Sequence, residues 1–111
     1  MRQFVIDELR PEEVDRIEEF ISQSCEKASL GRLYWLDMPD DLLAPMQYEH
    51  RDTCAPYSAA IELADRKVIF ELLIRSRQKL RCSCIGYANE HQRQFILNFA
   101  DTVISQCGIK A

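Results

Sequence analysis

Apolar residues recur at the three-to-four spacing of a helix face near both ends of the chain, and between those stretches the repeat shortens to two. Toward the C-terminus, Phe95, Ile96, Phe99, Ala100, Val103, Ile104 and Cys107 form one helical stripe. Asn89 followed by Gln92 has the form of a capping box, in which each side chain serves the other's backbone amide, and Gly108 supplies the stop. The first helix opens on Pro11, which lacks an amide proton the first turn would leave unused. Glu12 and Glu13 follow at the positive end of the helix dipole. Its stripe runs Val14, Ile17, Phe20, Ile21, Cys25 and Ala28, with Gly31 as its expected end.

In the middle of the chain, Tyr57, Ala59, Ile61 and Leu63 alternate with Ser58, Ala60 and Glu62. Val68, Phe70, Leu72 and Ile74 alternate with Ile69, Glu71, Leu73 and Arg75, and Leu80, Cys82, Cys84 and Gly86 with Arg81, Ser83, Ile85 and Tyr87. Short connections at Asp65-Arg66 and around Arg77 make these three strands an antiparallel meander. If Leu63 faces Val68, then Ile61 faces Phe70 and Ala59 faces Leu72. Continuing the register puts Leu72 opposite Cys82 and Phe70 opposite Cys84. Residues 3–8 and 32–38 are expected as two further strands, and residues 39–57 as an irregular connection with a helical turn near Asp41 to Leu43. The whole chain, 1–111, reads as a single α+β domain, a two-layer sandwich. A mainly antiparallel sheet of four or five strands, in the order β-α-β-loop-β-β-β-α, carries two amphipathic helices on one face. Ile17, Ile21, Ile61, Phe70, Leu72, Phe95, Phe99 and Val103 are expected to form one core.

Composition supports a folded chain: 47% hydrophobic and 29% charged residues lie in the globular range. Charge recurs by the seventh residue, so no apolar signal-peptide core is present, and five cysteines, an odd number, point to free thiols in a reducing cytoplasm. No stretch is long and apolar enough for a membrane span. The net charge of −4 conceals a division: residues 1–65 carry 15 acidic and 6 basic side chains, residues 66–111 carry 3 and 8. A nucleic-acid binder is usually basic overall, so the two halves are expected to complement each other rather than a polyanion.

The chemistry-bearing residues are few. His50 and Cys54 stand four apart, as side chains on one side of a helical turn do, and Cys82 and Cys84 stand two apart. Together they make a Cys3His set, an accepted zinc shell. On a regular strand, however, a Cys-x-Cys pair lacks the turn amides that support thiolates. The default is therefore that Cys82 and Cys84 are core residues, as are Cys25 and Cys107, and no cofactor is expected beyond a possible zinc. Cys54 beside His50 is the one pairing that could activate a thiol. Arg75, Arg77, Lys79 and Arg81 form a basic hairpin able to meet an anion or nucleotide, with a solvated tip as the default. No glycine-rich phosphate loop, serine elbow or other catalytic set is recognisable, so no enzyme is inferred.

Two helices cover one sheet face and leave the other open. That face is expected to carry Ile69, Leu73, Arg81, Ile85 and Tyr87, making the chain a non-catalytic interaction module. Either residues 39–57 fold over it through Leu42, Leu43 and Met46, or a partner covers it, most simply a second copy in a homodimer.

Overall fold

The computed structural model describes residues 2–110. Strand β1 (Gln3–Ile6) leads into helix α1 (Pro11–Ser22), then a hairpin of β2 (Glu26–Lys27) and β3 (Leu33–Asp37). A 3-10 turn (Asp40–Leu42) and two short helices, α2 (Pro45–Glu49) and α3 (Arg51–Cys54), lead to β4 (Tyr57–Leu63). Strands β5 (Val68–Glu71), β6 (Leu73–Ser76) and β7 (Gly86–Tyr87) follow, and helix α4 (Glu90–Gln106) closes the chain. The sheet runs β1-β5-β4-β3-β2, every pairing is antiparallel, and β6 joins it through β4 while pairing with β7. The fold is the expected α+β two-layer arrangement.

One layer follows directly from the alternation. Tyr57, Ala59, Ile61, Leu63, Val68 and Phe70 are buried against Val14, Ile17 and Ile21 of α1 and Ile96, Ala100 and Val103 of α4. The expected pairings of Leu63 with Val68 and Ile61 with Phe70 occur. Of the expected core, Leu72, Phe95 and Phe99 are only partly buried and pack at its margin.

Beyond Phe70 the register departs from the expected meander. From Ile61↔Phe70 to Ser58↔Arg75, β4 advances three residues while its partner advances five. The two extra residues form a bulge that splits one expected strand into β5 and β6. Leu72, at the break, does not face Ala59. Its amide donates to the carbonyl of Arg2 at 3.0 Å, and its carbonyl accepts from Ala88 at 3.0 Å, so its backbone serves the edge strand and the entry to α4.

The expected third meander strand is mostly a loop. Only Gly86 and Tyr87 are extended, pairing with Ile74 and Leu73, so neither Leu72 with Cys82 nor Phe70 with Cys84 forms a pair. The first helix also ends earlier than its apolar stripe, at Ser22 rather than near Gly31. Gly31, at φ 62°, makes the β2–β3 hairpin turn, for which the left-handed conformation is suited. Cys25 is buried from outside the helix.

The 39–57 connection does not cover the open face. Leu42 and Leu43 pack against the helix-side core, and Met46 is exposed. On the open side, Ile69 and Ile85 line a hollow with Leu33, Trp35, Ala60 and Leu80. Leu73 is half-buried, Arg81 lies on the loop rather than on a strand, and exposed Tyr87 is stacked by the Arg2 guanidinium at 4.4 Å. No helix among the described residues is long and apolar enough to cross a membrane.

Candidate metal centre

His50 and Cys54 are brought together by the short helices. Pro45, which has no amide proton to leave unused, occupies the first turn of α2, and Gln47 accepts from the Ala44 amide at 2.9 Å. His50 joins α2 to α3, and the Cys54 amide reaches the His50 carbonyl at 3.0 Å. That single turn sets the two side chains on one side, as the i,i+4 spacing predicts.

Cys82 and Cys84 arrive differently from the expectation. Cys82-Ser83-Cys84 belongs to a tight turn closed by the Ile85 amide on the Cys82 carbonyl at 3.1 Å, and the Cys84 amide of that turn favours the thiolate form of Cys82. This is the backbone support for a thiolate that a regular strand would have withheld. Cys84 is buried, as its core assignment predicts, but Cys82 is only half-buried.

The turn meets the helices. His50 Nδ1 lies 3.3 Å from Cys82 Sγ, Cys54 Sγ lies 3.8 Å from Cys82 Sγ, and the potential ligand atoms of all four residues lie within 4.8 Å of one another. A tetrahedral zinc with Zn–S of ~2.3 Å places its sulfurs about 3.8 Å apart, and its sulfur and nitrogen about 3.6 Å apart. The observed contacts bracket these edges. Drawing the widest pair, at most 4.8 Å, onto one ion needs a contraction of about 1 Å.

The outer contacts are as specific as the ligands. Tyr57 donates its hydroxyl to Cys84 Sγ at 3.5 Å. Gln47 donates to the Cys84 carbonyl at 3.2 Å and accepts from Gln92 of α4 at 2.8 Å, while Gln92 also donates to the Leu42 carbonyl at 2.9 Å. Both glutamines are buried. Ser76 donates to the Cys54 carbonyl, and its oxygen accepts the amides of Gln78 and Lys79 at 3.1 Å each. The segment from Ser76 to Ile85 is thus fastened at one end to the carbonyl of Cys54 and at the other through Cys82 and Cys84. Gln92 was visible in the sequence as a cap. Its second role, and those of Gln47, Tyr57 and Ser76, depend on contacts far along the chain.

The thiols differ in acidity. The Cys84 amide, the Cys84 side chain and His50 pull Cys82 down to about 6, so it is the thiolate of the group at neutral pH. Burial pushes Cys84 up to about 11, and burial likewise raises Tyr57. Loading a cation therefore means expelling a proton from Cys84, which the ion's charge compensates.

The basic hairpin does not assemble into a stripe. Arg75 is held by Glu71 at 2.7 Å, and Arg77 bridges Glu26 and Asp37, so those two cations are already spent in the fold. Arg81, on the loop, does not share a strand face with Arg75. The pairing of Arg77 with Glu26 and Asp37 joins the basic second half to the acidic first, as the charge division suggested. Comparison with family models, curated proteins and solved structures finds no match to this chain.

Proposed function

We propose that the chain is a non-catalytic binding module built around a structural metal centre. In this reading, His50, Cys54, Cys82 and Cys84 hold one thiophilic divalent cation of the zinc class, and the open sheet face is the working surface. The observation that carries it is the convergence of three sulfurs and an imidazole nitrogen, from two segments 28 or more residues apart, within 4.8 Å. A cysteine used only for packing would not need a histidine nitrogen and a second thiol on the same sulfur. Four protein ligands leave no open coordination position, which fits a structural rather than a hydrolytic centre. Gln47, Gln92 and Tyr57 would orient the ligands from outside, as outer-shell partners of zinc sites do.

A second reading has its own observation. His50 on the half-buried, acidic Cys82 would also suit a reactive thiol. One experiment separates the two. Untagged protein is assayed by elemental mass spectrometry and reconstituted with cobalt. One metal per chain, with thiolate–cobalt absorption lost in Cys84→Ser, supports the metal centre. Metal-free protein that folds normally, with Cys82 alkylated at once by iodoacetamide and indifferent to added zinc, would replace it with the thiol reading.

A further inference from the structure

Opposite the helices, the open sheet face is not flat. A hollow of about 640 Å³ opens there, inside the size range of small-molecule sites. Its origin lies in side-chain size. Ala60 stands in register beside Trp35, next to the point where the β5–β6 bulge interrupts the neighbouring strand. Leu33, Trp35 and Ile69 surround the small alanine, and Leu80 and Ile85, from the segment fastened at Ser76 and Cys82, make the remaining wall. Ala60 is buried although it faces away from the helices, whereas Leu80 is 98% exposed.

The charge around the hollow is unevenly satisfied. Arg75 is neutralised by Glu71, and two of the Arg77 nitrogens by Glu26 and Asp37. Among the described residues, the Arg77 Nε is the one buried side-chain polar atom without a hydrogen-bond partner. Lys27 and Lys79 also line the hollow and form no ion pair within 4 Å among the described residues, against one lining carboxylate, Glu62, in the same condition. The lining side chains carry four positive charges, on Lys27, Arg75, Arg77 and Lys79, against three negative ones, on Glu26, Glu62 and Glu71, and an apolar floor under that excess of one fits a ligand with a greasy body and a singly charged anionic head. A neutral or cationic ligand would leave that surplus unanswered, and a bare phosphate would leave the floor wet.

We propose that this hollow is a binding site for an amphipathic organic anion, an alkyl or aromatic body carrying a single carboxylate or sulfonate. The proposal deepens the binding-module reading and rests on the open face being its working surface, not on the identity of any metal. The body would lie against Trp35, Ala60 and Ile69, and the head would meet Lys79 or Lys27 beside Arg77.

Trp35 is the only tryptophan, so it reports on the site without labelling. The probes are decanoate, decanol and decylammonium, which share a chain and differ in head charge, each titrated below its micelle concentration. Decanoate should shift Trp35 emission to the blue with saturation at one per chain, and bind at least about tenfold more tightly than decylammonium. Lys79→Glu, at an exposed position, should keep the fold and weaken decanoate by roughly tenfold. Ala60→Leu, which fills the floor, should weaken all three probes, with its fold checked by circular dichroism. Equal affinity for decanoate and decylammonium would overturn the proposal, as would a Trp35 signal that fails to saturate. So would a wild type that light scattering shows as a dimer with Trp35 shielded from acrylamide, since the occupant would then be a second copy. Each titration is run with zinc and with chelator, and metal content is measured separately, so failure at the hollow and failure at the metal centre are read independently.

Discussion

Cys82 carries two roles that pull on the same proton. The amide of Cys84 and the ring of His50 stabilise its thiolate, so in metal-free protein it is the sulfur that reacts first. Iodoacetamide should label Cys82 ahead of Cys84, whose burial keeps it protonated. The labelling rate should rise with pH to half its plateau near 6, because reaction needs the deprotonated form. Mass mapping of the labelled cysteine against pH measures this, and a midpoint near the ordinary thiol value would mean the turn amide does not reach the sulfur. At the same scale, burial separates residues that the sequence grouped together. Phe70 is fully buried, whereas Leu72 sits at the margin of the core. Phe70→Ala should cost about 3–5 kcal/mol in chemical denaturation. Leu72→Ala should cost less than the 2–5 kcal/mol of a typical fully buried leucine.

Between elements, a buried polar chain connects α4 to the metal-site turn through Gln92, Gln47 and the Cys84 carbonyl. Gln47→Ala leaves the Cys84 carbonyl without its Gln47 donor and the Gln92 amide with the Leu42 carbonyl alone, which should cost roughly 1–3 kcal/mol of stability. On the proposed function it should also lower zinc affinity by about 10–100-fold, read by competition with a chromophoric chelator. Toward β3, the same helix-covered face is strapped by Glu18 of α1, which accepts from Arg32 at 2.6 Å and from Tyr34 at 2.8 Å. Burial works against the Glu18 carboxylate, but these two donors outweigh it and hold its pKa below the usual value of 4.5. The folded form therefore keeps the charge more readily than the unfolded chain. The stability it gives is present above about 4.5 and is lost as pH falls through the lower folded value. Stability plotted against pH should drop less steeply across that range in Glu18→Gln than in the wild type.

How much of this was legible depended on what holds each element. α4 was legible down to its Asn89–Gln92 cap because cap, stripe and stop are local. Strand β4 was legible because Tyr57, Ala59, Ile61 and Leu63 are buried on one side. The Cys82-Ser83-Cys84 turn was not, since Leu80, Cys82 and Cys84 alternating with Arg81 and Ser83 imitate a strand, while the backbone is set by the Ile85 amide on Cys82 and Gln47 on the Cys84 carbonyl. The bulge at Leu72 was hidden for a related reason: an uninterrupted apolar alternation does not reveal that the Arg2 carbonyl and the Ala88 amide take up its backbone amide and carbonyl. The four candidate ligands could be named from the sequence, but their convergence needed the 82–85 segment to be a turn.

For the molecule as a whole, a cation bound only by the folded chain adds to its stability by mass action. Free zinc at one hundred times its dissociation constant should add about 2.7 kcal/mol, and the unfolding temperature should rise with zinc concentration. Chelator should remove that increment from the wild type and have no effect on Cys84→Ser. Calorimetry with and without zinc checks both.

The segment from Ser76 to Ile85 is shared by the hollow and the candidate metal centre. One side supplies Cys82 and Cys84, while the other presents Lys79, Leu80 and Ile85 to the hollow. A wall pinned by the cation loses less conformational freedom when a ligand settles against it, and a ligand that steadies the wall brings the sulfurs closer to the geometry the cation needs. Reciprocity then fixes the arithmetic: the factor by which zinc tightens decanoate must equal the factor by which decanoate tightens zinc. Measuring both legs closes the cycle. A Gly-Gly insertion after Leu80, which slackens the connection between the hollow's wall and Cys82, should bring that shared factor toward one. The small domain would then act as a metal-dependent receptor, filling its hollow in proportion to the zinc around it.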